Sequence, residues 1–358
     1  MKVVFILKTI EQQRCIKRIQ AFIDHGYEVE VYGFNRKKTV HQECGFQINS
    51  LGVIEDGTSY AKRTKAYLKA RKVIKKYRKE KDVLLYLFGL DLALPMILCR
   101  GAKHYIYEES DLIHTKFKSR AVIRLFESID KWIIKKSRVS VLTSEGFVKY
   151  HFGDTTTPHN VCVLPNKLNQ RCKELVPIPR SLDFSNLSVG FVGFFRYESI
   201  YNFLLVTAKR YPNIQVKLFG ANSGWTEAQM AELFSMPNLT NEGPFKNPVE
   251  LPDVYSKIDL VVSTYDIEDD NPRYAEPNKI YESIFFDTPI IVSSQTFLAE
   301  KVDRLGIGFH VNAKDDNEVL GFWENLNEKV LKEKIEACRN VDKNYCIDDE
   351  TALFNMIK

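Results

Sequence analysis

None of the seven cysteines stands in a CxxC pair or at a zinc-ligand spacing; Cys15, Cys44, Cys99, Cys162, Cys172, Cys338 and Cys346 are scattered along the chain. The scatter argues against a disulfide framework or a zinc ribbon and for reduced thiols in a cytoplasmic protein. A cleavable signal peptide is not expected either. The opening MKVVFILK is too short for the apolar part of one and runs straight into the polar TIEQQR, so it reads as a first strand. The sequence also lacks an unbroken apolar run of membrane-spanning length. The nearest candidate, VLLYLFGLDLALPMILC at 83–99, is interrupted by Gly89, Asp91 and Pro95 and reads as strand, loop and buried helix. Net charge is only +5 over 358 residues, too little in itself to imply a nucleic-acid partner. Repeats and low-complexity segments are missing too.

What is present is a globular composition, 44% apolar and 27% charged, in a chain long enough for two cores. KVVFILK (2–8), the helical QQRCIKRIQAFIDHG (12–26) and YEVEVYGF (27–34) form a strand–helix–strand opening, which requires a parallel sheet. VLLYLF, HYIYEE, RVSVLTS and NVCVLPN continue the alternation. Periodicity then fails over 167–186, which carries two prolines and reads as a linker. A second alternation follows, with buried-type strands at 187–194, 214–220, 258–265 and 288–294. The expected organisation is α/β throughout: a Rossmann-like doubly wound domain over 1–166, the linker, and a second such domain over 187–335. A helical, polar-faced end, 336–358, is expected to pack back on the first domain.

The stretch AEPNKIYESIFFDTP (275–289) reads as a short helix starting at Pro277 and ended by Asp287, Thr288 and Pro289. Steps of 100° per residue put Ile280, Tyr281, Ile284 and Phe285 on one arc and Lys279, Glu282, Ser283 and Phe286 on the other. Two readings are open. One is an exposed Lys279–Glu282 pair worth about a few tenths of a kcal/mol. The other is a cleft, in which a cation at a helix start suits phosphate and a carboxylate one turn on suits ribose hydroxyls.

The run PNKIYESIFFDTPIIVS (277–293) resembles the donor-sugar signature of family 4 glycosyltransferases. HGYEVEVYGF, YEESDL, VLTSEGF, VLPN, VGFVGFFR, NEGPF and YSKIDLVVSTY follow in the family's order over nearly the whole chain. The resemblance implies the GT-B fold, two Rossmann-like domains facing across a cleft, and transfer of a sugar from a nucleotide-diphosphate sugar with retained anomeric configuration. It implies Lys279 on the diphosphate and Glu282 on the ribose, with Asn278 beside them. The position at which the family often has a sugar-binding Glu is Tyr274, with Glu276 close by, and Asp287 replaces the usual Gly.

A second wall for a phosphate site is legible at VGFVGFFR, where a strand runs through Gly193 and Phe194 to Arg196 and a helix follows from about Ser199. Gly193 permits close backbone approach and Arg196 can fork onto phosphate; a tight turn carrying a surface Arg is the alternative. By the resemblance, Arg196 and Lys279 together offset the charge of the departing diphosphate, so that neither a metal nor another cofactor is called for. Asp266-Ile-Glu268 with Asp269 and Asp270 is similar to a metal-binding DxD run, but solvated loop charge is the main reading. Gly220 and the Gly243-Pro244-Phe245 turn fall where the family contacts the base, with Phe245 either stacking on it or sitting in the core.

In the first domain YEESDL places Glu108, Glu109 and Asp111 at the carboxyl end of a strand. Glu108 and Asp111 are acceptor-side candidates for orienting a hydroxyl or taking its proton, with helix capping the rival role for Asp111. Ser110 stands where many family members have a His. The basic run KRTKAYLKARKVIKKYRKEK (62–81), with Lys116, Lys118, Arg120 and Arg124 as a second patch, is either a solvated helix face or a contact with an anionic membrane surface. The expected function is a glycosyltransferase of bacterial surface-polysaccharide synthesis acting on a saccharide acceptor carried by a lipid. The rivals are another GT-B enzyme, such as a sugar-nucleotide epimerase, and a sugar-nucleotide-binding scaffold without turnover.

Overall fold

The computed structural model describes every residue except 11, 37–44, 56–57, 78–79, 99–103 and 154–155, and leaves aside the side chains of 60 and 61. Cys44, Cys99 and two positions of the basic run, Arg78 and Lys79, therefore lie outside the described residues. The chain forms two compact units, Met1–Pro165 with Asp349–Lys358, and Asn166–Asp348.

The first unit is a seven-stranded sheet of β1 (Lys2–Leu7), β2 (Glu28–Asn35), β3 (Ile48–Val53), β4 (Val83–Phe88), β5 (Tyr105–Glu109), β6 (Val139–Leu142) and β7 (Val161–Val163) in the order β3-β2-β1-β4-β5-β6-β7. All its pairings are parallel. The central strands are apolar along their whole length because helices cover both faces of such a sheet. Every residue of β4 is buried, and residues 83–98 resolve into that strand, Gly89, and a helix Leu90–Leu98 with Pro95 inside it. One core joins Phe5, Phe22, Tyr86 and Ile106 with Leu353, Phe354 and Ile357 of the last helix, Thr351–Ile357.

The second unit is a six-stranded sheet of β8 (Ser188–Phe195), β9 (Gln215–Asn222), β10 (Leu239–Gly243), β11 (Leu260–Ser263), β12 (Ile290–Ser293) and β13 (Gly308–Val311), ordered β10-β9-β8-β11-β12-β13 and again parallel throughout. Alternate residues of β8 feed two cores, Val189 and Phe191 one and Val192 the other, as the period of two requires. The helix Glu328–Asn340 and the turn Lys343–Cys346 belong to this unit, because Cys338 and Cys346 are buried in its core. Of the segment 336–358, only Asp349–Lys358 groups with the first unit. The five described cysteines, Cys15, Cys162, Cys172, Cys338 and Cys346, are free and buried. Among the described residues no helix is long and apolar enough to cross a membrane.

Strand order reverses direction between β8 and β11, and ligands of open α/β sheets lie beyond the strand carboxyl ends at such a point. Here two glycines sit in register, Gly193 on β8 and Gly220 on β9, with φ of +146° and +141°. A Cβ on Gly220 would lie 1.9 Å from the Gly193 carbonyl oxygen. Gly220→Ala should therefore destabilise the second unit by at least about 2 kcal/mol, read as a lowered midpoint in urea unfolding.

Candidate functional site

Beyond the ends of β8 and β9 lies a cavity of about 430 Å³, floored by Gly193 and Gly220. Arg196 and Lys279 both line it, as do Phe194, Phe245, Asn278 and Tyr265. The two cations reach it differently. Arg196 is exposed and lies over the ring of Tyr197, 4.7 Å from the centroid, while Tyr197 meets Tyr265 edge-on at 4.6 Å. Lys279 is only 7% exposed, and its Nζ donates to Glu282 Oε2 at 2.7 Å. No carboxylate or imidazole is among the residues lining the cavity.

The helix behind Lys279 runs from Lys279 to Phe285 with Asn278 as its N-cap, so Pro277 precedes the cap rather than opening the first turn. All seven residues of this helix are buried, which corrects the expectation of one apolar and one open arc. Glu282 is fully buried, and both its oxygens are engaged. Asn278 Nδ2 donates to Oε1 at 2.7 Å; Lys279 Nζ and the Tyr255 hydroxyl, the latter at 2.8 Å, donate to Oε2. Burial, then Glu282, holds the Tyr255 hydroxyl well above the usual tyrosine range. Phe286 is a core residue stacked on Tyr255 at 4.8 Å and 14°. Lys279, Glu282 and Phe286 share a side because Tyr255 joins them, its hydroxyl to the charged pair and its ring to Phe286. Asp287 takes φ of +54°, and the amides of Asp287 and Thr288 donate to Ile284 and Ser283, an ending that Asp tolerates in place of Gly.

Several expected site carboxylates are committed elsewhere. Glu276 does not line the cavity; it is buried against Lys301 and accepts from the Tyr281 hydroxyl. Glu282 lies behind Lys279, with no face open to a ribose as the structure stands. The helix start after β8 (Glu198–Arg210) is not an open anion site, because the amides of Glu198 and Ser199 donate to the Asp266 carboxylate at 3.1 and 2.9 Å. Burial pushes the Asp266 carboxyl up, but these amides and Lys314 outweigh it and hold it below its ordinary value. Lys314 also pairs with Glu268, and Arg273 lies 3.8 Å from Asp270, so three of the four acids in the run after β11 face protein cations.

In the first unit Glu108 is fully buried between Arg14 and Arg18 and accepts from the Tyr86 hydroxyl, which corrects its reading as a residue open to an acceptor. Arg18 continues to Glu350 at 2.9 Å. Asp111 is exposed, and its carboxylate accepts from Ser110 Oγ at 3.5 Å; it gives no side-chain cap to the short helix Ile113–Lys116. The described part of the basic run is a broken helix, Tyr60–Tyr67, Leu68–Ala70 and Arg71–Tyr77. Tyr67, Val73, Ile74 and Tyr77 turn inward, while Lys62, Lys65, Lys69, Arg71, Lys72, Lys75 and Lys76 turn outward with Leu68.

Neither a protein-family model nor a curated protein matches the sequence. Solved structures do match in fold. A sucrose-phosphate synthase from Thermosynechococcus elongatus superposes with a TM-score of 0.70 at 16% identity, over 99% of this chain and 97% of that one. Anabaena HepE, solved with UDP and glucose, gives 0.67 at 12% identity over 97% and 96%. WaaG, a glycosyltransferase involved in lipopolysaccharide biosynthesis, gives 0.65 at 13% identity over 96% and 95%. The chain has the GT-B fold, with two Rossmann-like parallel-sheet domains.

Removing the Tyr255 hydroxyl leaves the buried Glu282 carboxylate one donor short. Tyr255→Phe should cost about 1–3 kcal/mol in denaturant unfolding while the ring keeps its stack on Phe286.

Proposed function

We propose that this protein is a glycosyltransferase that moves a sugar from a nucleotide-diphosphate sugar to a saccharide acceptor. The observation that carries the proposal is the convergence of Arg196 and Lys279 on one cavity at the carboxyl ends of β8 and β9, beside the reversal of strand order. Cleaving a glycosyl–phosphate bond leaves negative charge on the diphosphate oxygens. A guanidinium fork and a fixed ammonium aimed at those oxygens stabilise that charge as it develops, which is the work a divalent ion does in metal-dependent relatives of the reaction. Gly193 and Gly220 let backbone amides approach the ligand, and Phe194 and Phe245 offer apolar walls for a base.

Within this reading Lys279 touches the diphosphate, Asn278 lies beside it, and Glu282 holds Lys279 in place, so its contact with the ribose follows only if the ligand displaces Asn278 or Tyr255 from the carboxylate. Asp111, just beyond the end of β5, is the acceptor-side candidate that solvent reaches. Retention of configuration, a lipid-linked acceptor and a role in surface polysaccharide rest on the family resemblance; the likeness in fold to WaaG, a glycosyltransferase involved in lipopolysaccharide biosynthesis, accords with the last of these. The outward cations of the 62–77 segment support docking on an anionic membrane surface by charge, since Leu68 is the one large apolar side chain exposed there among the described residues. An epimerase needs an acid and a base at the sugar, and no carboxylate or imidazole lines the cavity, so transfer is the reading adopted.

Titration with a panel of nucleotide-diphosphate sugars tests binding, and release of free nucleotide without acceptor tests turnover. Arg196→Ala and Lys279→Ala should each weaken donor binding or turnover by roughly 10- to 100-fold; wild-type behaviour of Lys279→Ala would remove the diphosphate assignment. Binding with no nucleotide release would mark a scaffold, and conversion of the sugar without transfer an epimerase. On vesicles containing phosphatidylglycerol, exchanging Lys65, Lys69 and Lys72 for Glu should lower partitioning by about 1 kcal/mol per site or more and should leave neutral vesicles unaffected.

A further inference from the structure

Next to Glu108 on β5, Glu109 points into a second buried cluster, formed with His114 from the turn Ile113–Lys116, Asp130 from the helix Arg120–Lys136, and His151 from the helix Glu145–Phe152. Glu109, His114 and Asp130 are each fully shielded from solvent. Each has one polar atom fixed by a neighbour and one without a hydrogen-bond partner. Glu109 Oε2 lies 2.7 Å from His151 Nε2, Asp130 Oδ1 accepts from the Tyr107 hydroxyl at 2.8 Å, and His114 Nε2 lies 3.2 Å from the Tyr150 hydroxyl. The opposite atoms, Glu109 Oε1, Asp130 Oδ2 and His114 Nδ1, are buried and turned toward one another without a well-formed hydrogen bond. One ligand atom from each of the three residues can be chosen so that all lie within 4.8 Å of one another.

From this geometry we propose that Glu109, His114 and Asp130 bind a divalent transition metal of the zinc class as a buried structural site. Metal ligands are held from behind in this way, with the remote atom of each imidazole or carboxylate bonded to a second group that fixes its direction. His114 Nδ1 and Asp130 Oδ2 are 3.4 Å apart. Two ligands at about 2.0–2.1 Å from a tetrahedral zinc are separated by about that distance. An imidazole with two carboxylates suits zinc, the fourth tetrahedral position falling to one water, whereas magnesium and calcium demand more oxygens. Two ionised carboxylates offer each other no donor, so either a proton or a cation joins them. The proposed metal is that cation. It would tie β5, the following turn and the helix Arg120–Lys136 together and so order the segment that carries Asp111.

The test uses the full chain expressed in zinc-supplemented medium and exhaustively desalted. Wild type and His159→Ala, which alters an exposed imidazole, should retain about one zinc per chain by mass spectrometry. Glu109→Gln, His114→Gln and Asp130→Asn should each lower the retained metal roughly tenfold or more. X-ray absorption on the wild type should show a nitrogen and oxygen shell with imidazole scattering, and this decides the matter if the variants do not fold. Metal-free wild type, metal retained in all three variants, or a sulfur shell would overturn the proposal.

Discussion

The cavity depends on a carboxylate that does not line it. Glu282 is fully buried, and removing an ionised carboxylate from water costs several kcal/mol unless its oxygens are paired. Lys279, Asn278 and Tyr255 pair them, and in doing so each is fixed in place. The ammonium of Lys279 is held at the wall of the cavity by a counter-charge behind it. Arg196 has an aromatic face beneath it instead of a carboxylate. The excess positive charge available to an anion therefore sits on Arg196, while Lys279 contributes direction and a fixed donor. Tyr255 carries the constraint further, since its ring stacks on Phe286 at the C-cap of the same helix, where Asp287 adopts a left-handed conformation and pairs with Lys343. The front and the back of this short helix are set by one tyrosine.

Much of the architecture was legible in the sequence because the central strands of a parallel sheet are apolar runs bounded by loops. β1, β4, β8 and β12 are of this kind, and their expected positions differ from the observed ones by a residue or two. The strands that escaped notice, β3, β10 and β13, all lie at sheet edges. INSLGV and LTNEG have few fully buried positions and GFHV is four residues long, so neither an apolar run nor alternation marks them. The helix start was misplaced because Pro277 suits the first turn but sits two residues before Lys279, with Asn278 as the cap.

The pairing of Arg196 with Lys279 was legible for a different reason: each belongs to a local pattern, a strand running into a glycine turn and a short helix after a proline. What neither pattern contains is the distant partner of a buried acid. Glu282 meets Tyr255 across 27 positions, Glu276 meets Lys301 across 25, and Glu108 meets Arg18 across 90. Read from the chain alone, each of these acids is a candidate ligand, because a carboxylate near a cleft motif looks the same whether it faces a substrate or a lysine. Burial separates the cases. Asp111 is exposed, whereas Glu108, three positions earlier, is buried against two guanidinium groups.

The contrast between Glu108 and Glu109 shows why pairing matters more than composition. They are neighbours on one strand and so project to opposite faces of the sheet. On one face two carboxylates, Glu108 and Glu350, meet two cations, Arg14 and Arg18, and formal charge sums to zero. On the other, Glu109 and Asp130 meet two imidazoles, His114 and His151, neither of which brings the permanent charge of a guanidinium. With neutral rings that face carries two negative charges and no compensating side chain within the cluster. A shielded site does not tolerate that imbalance, so its neutral form must include something from outside the set of side chains, a bound proton at the least. The unpartnered atoms of Glu109, His114 and Asp130 converge where such a charge would have to sit.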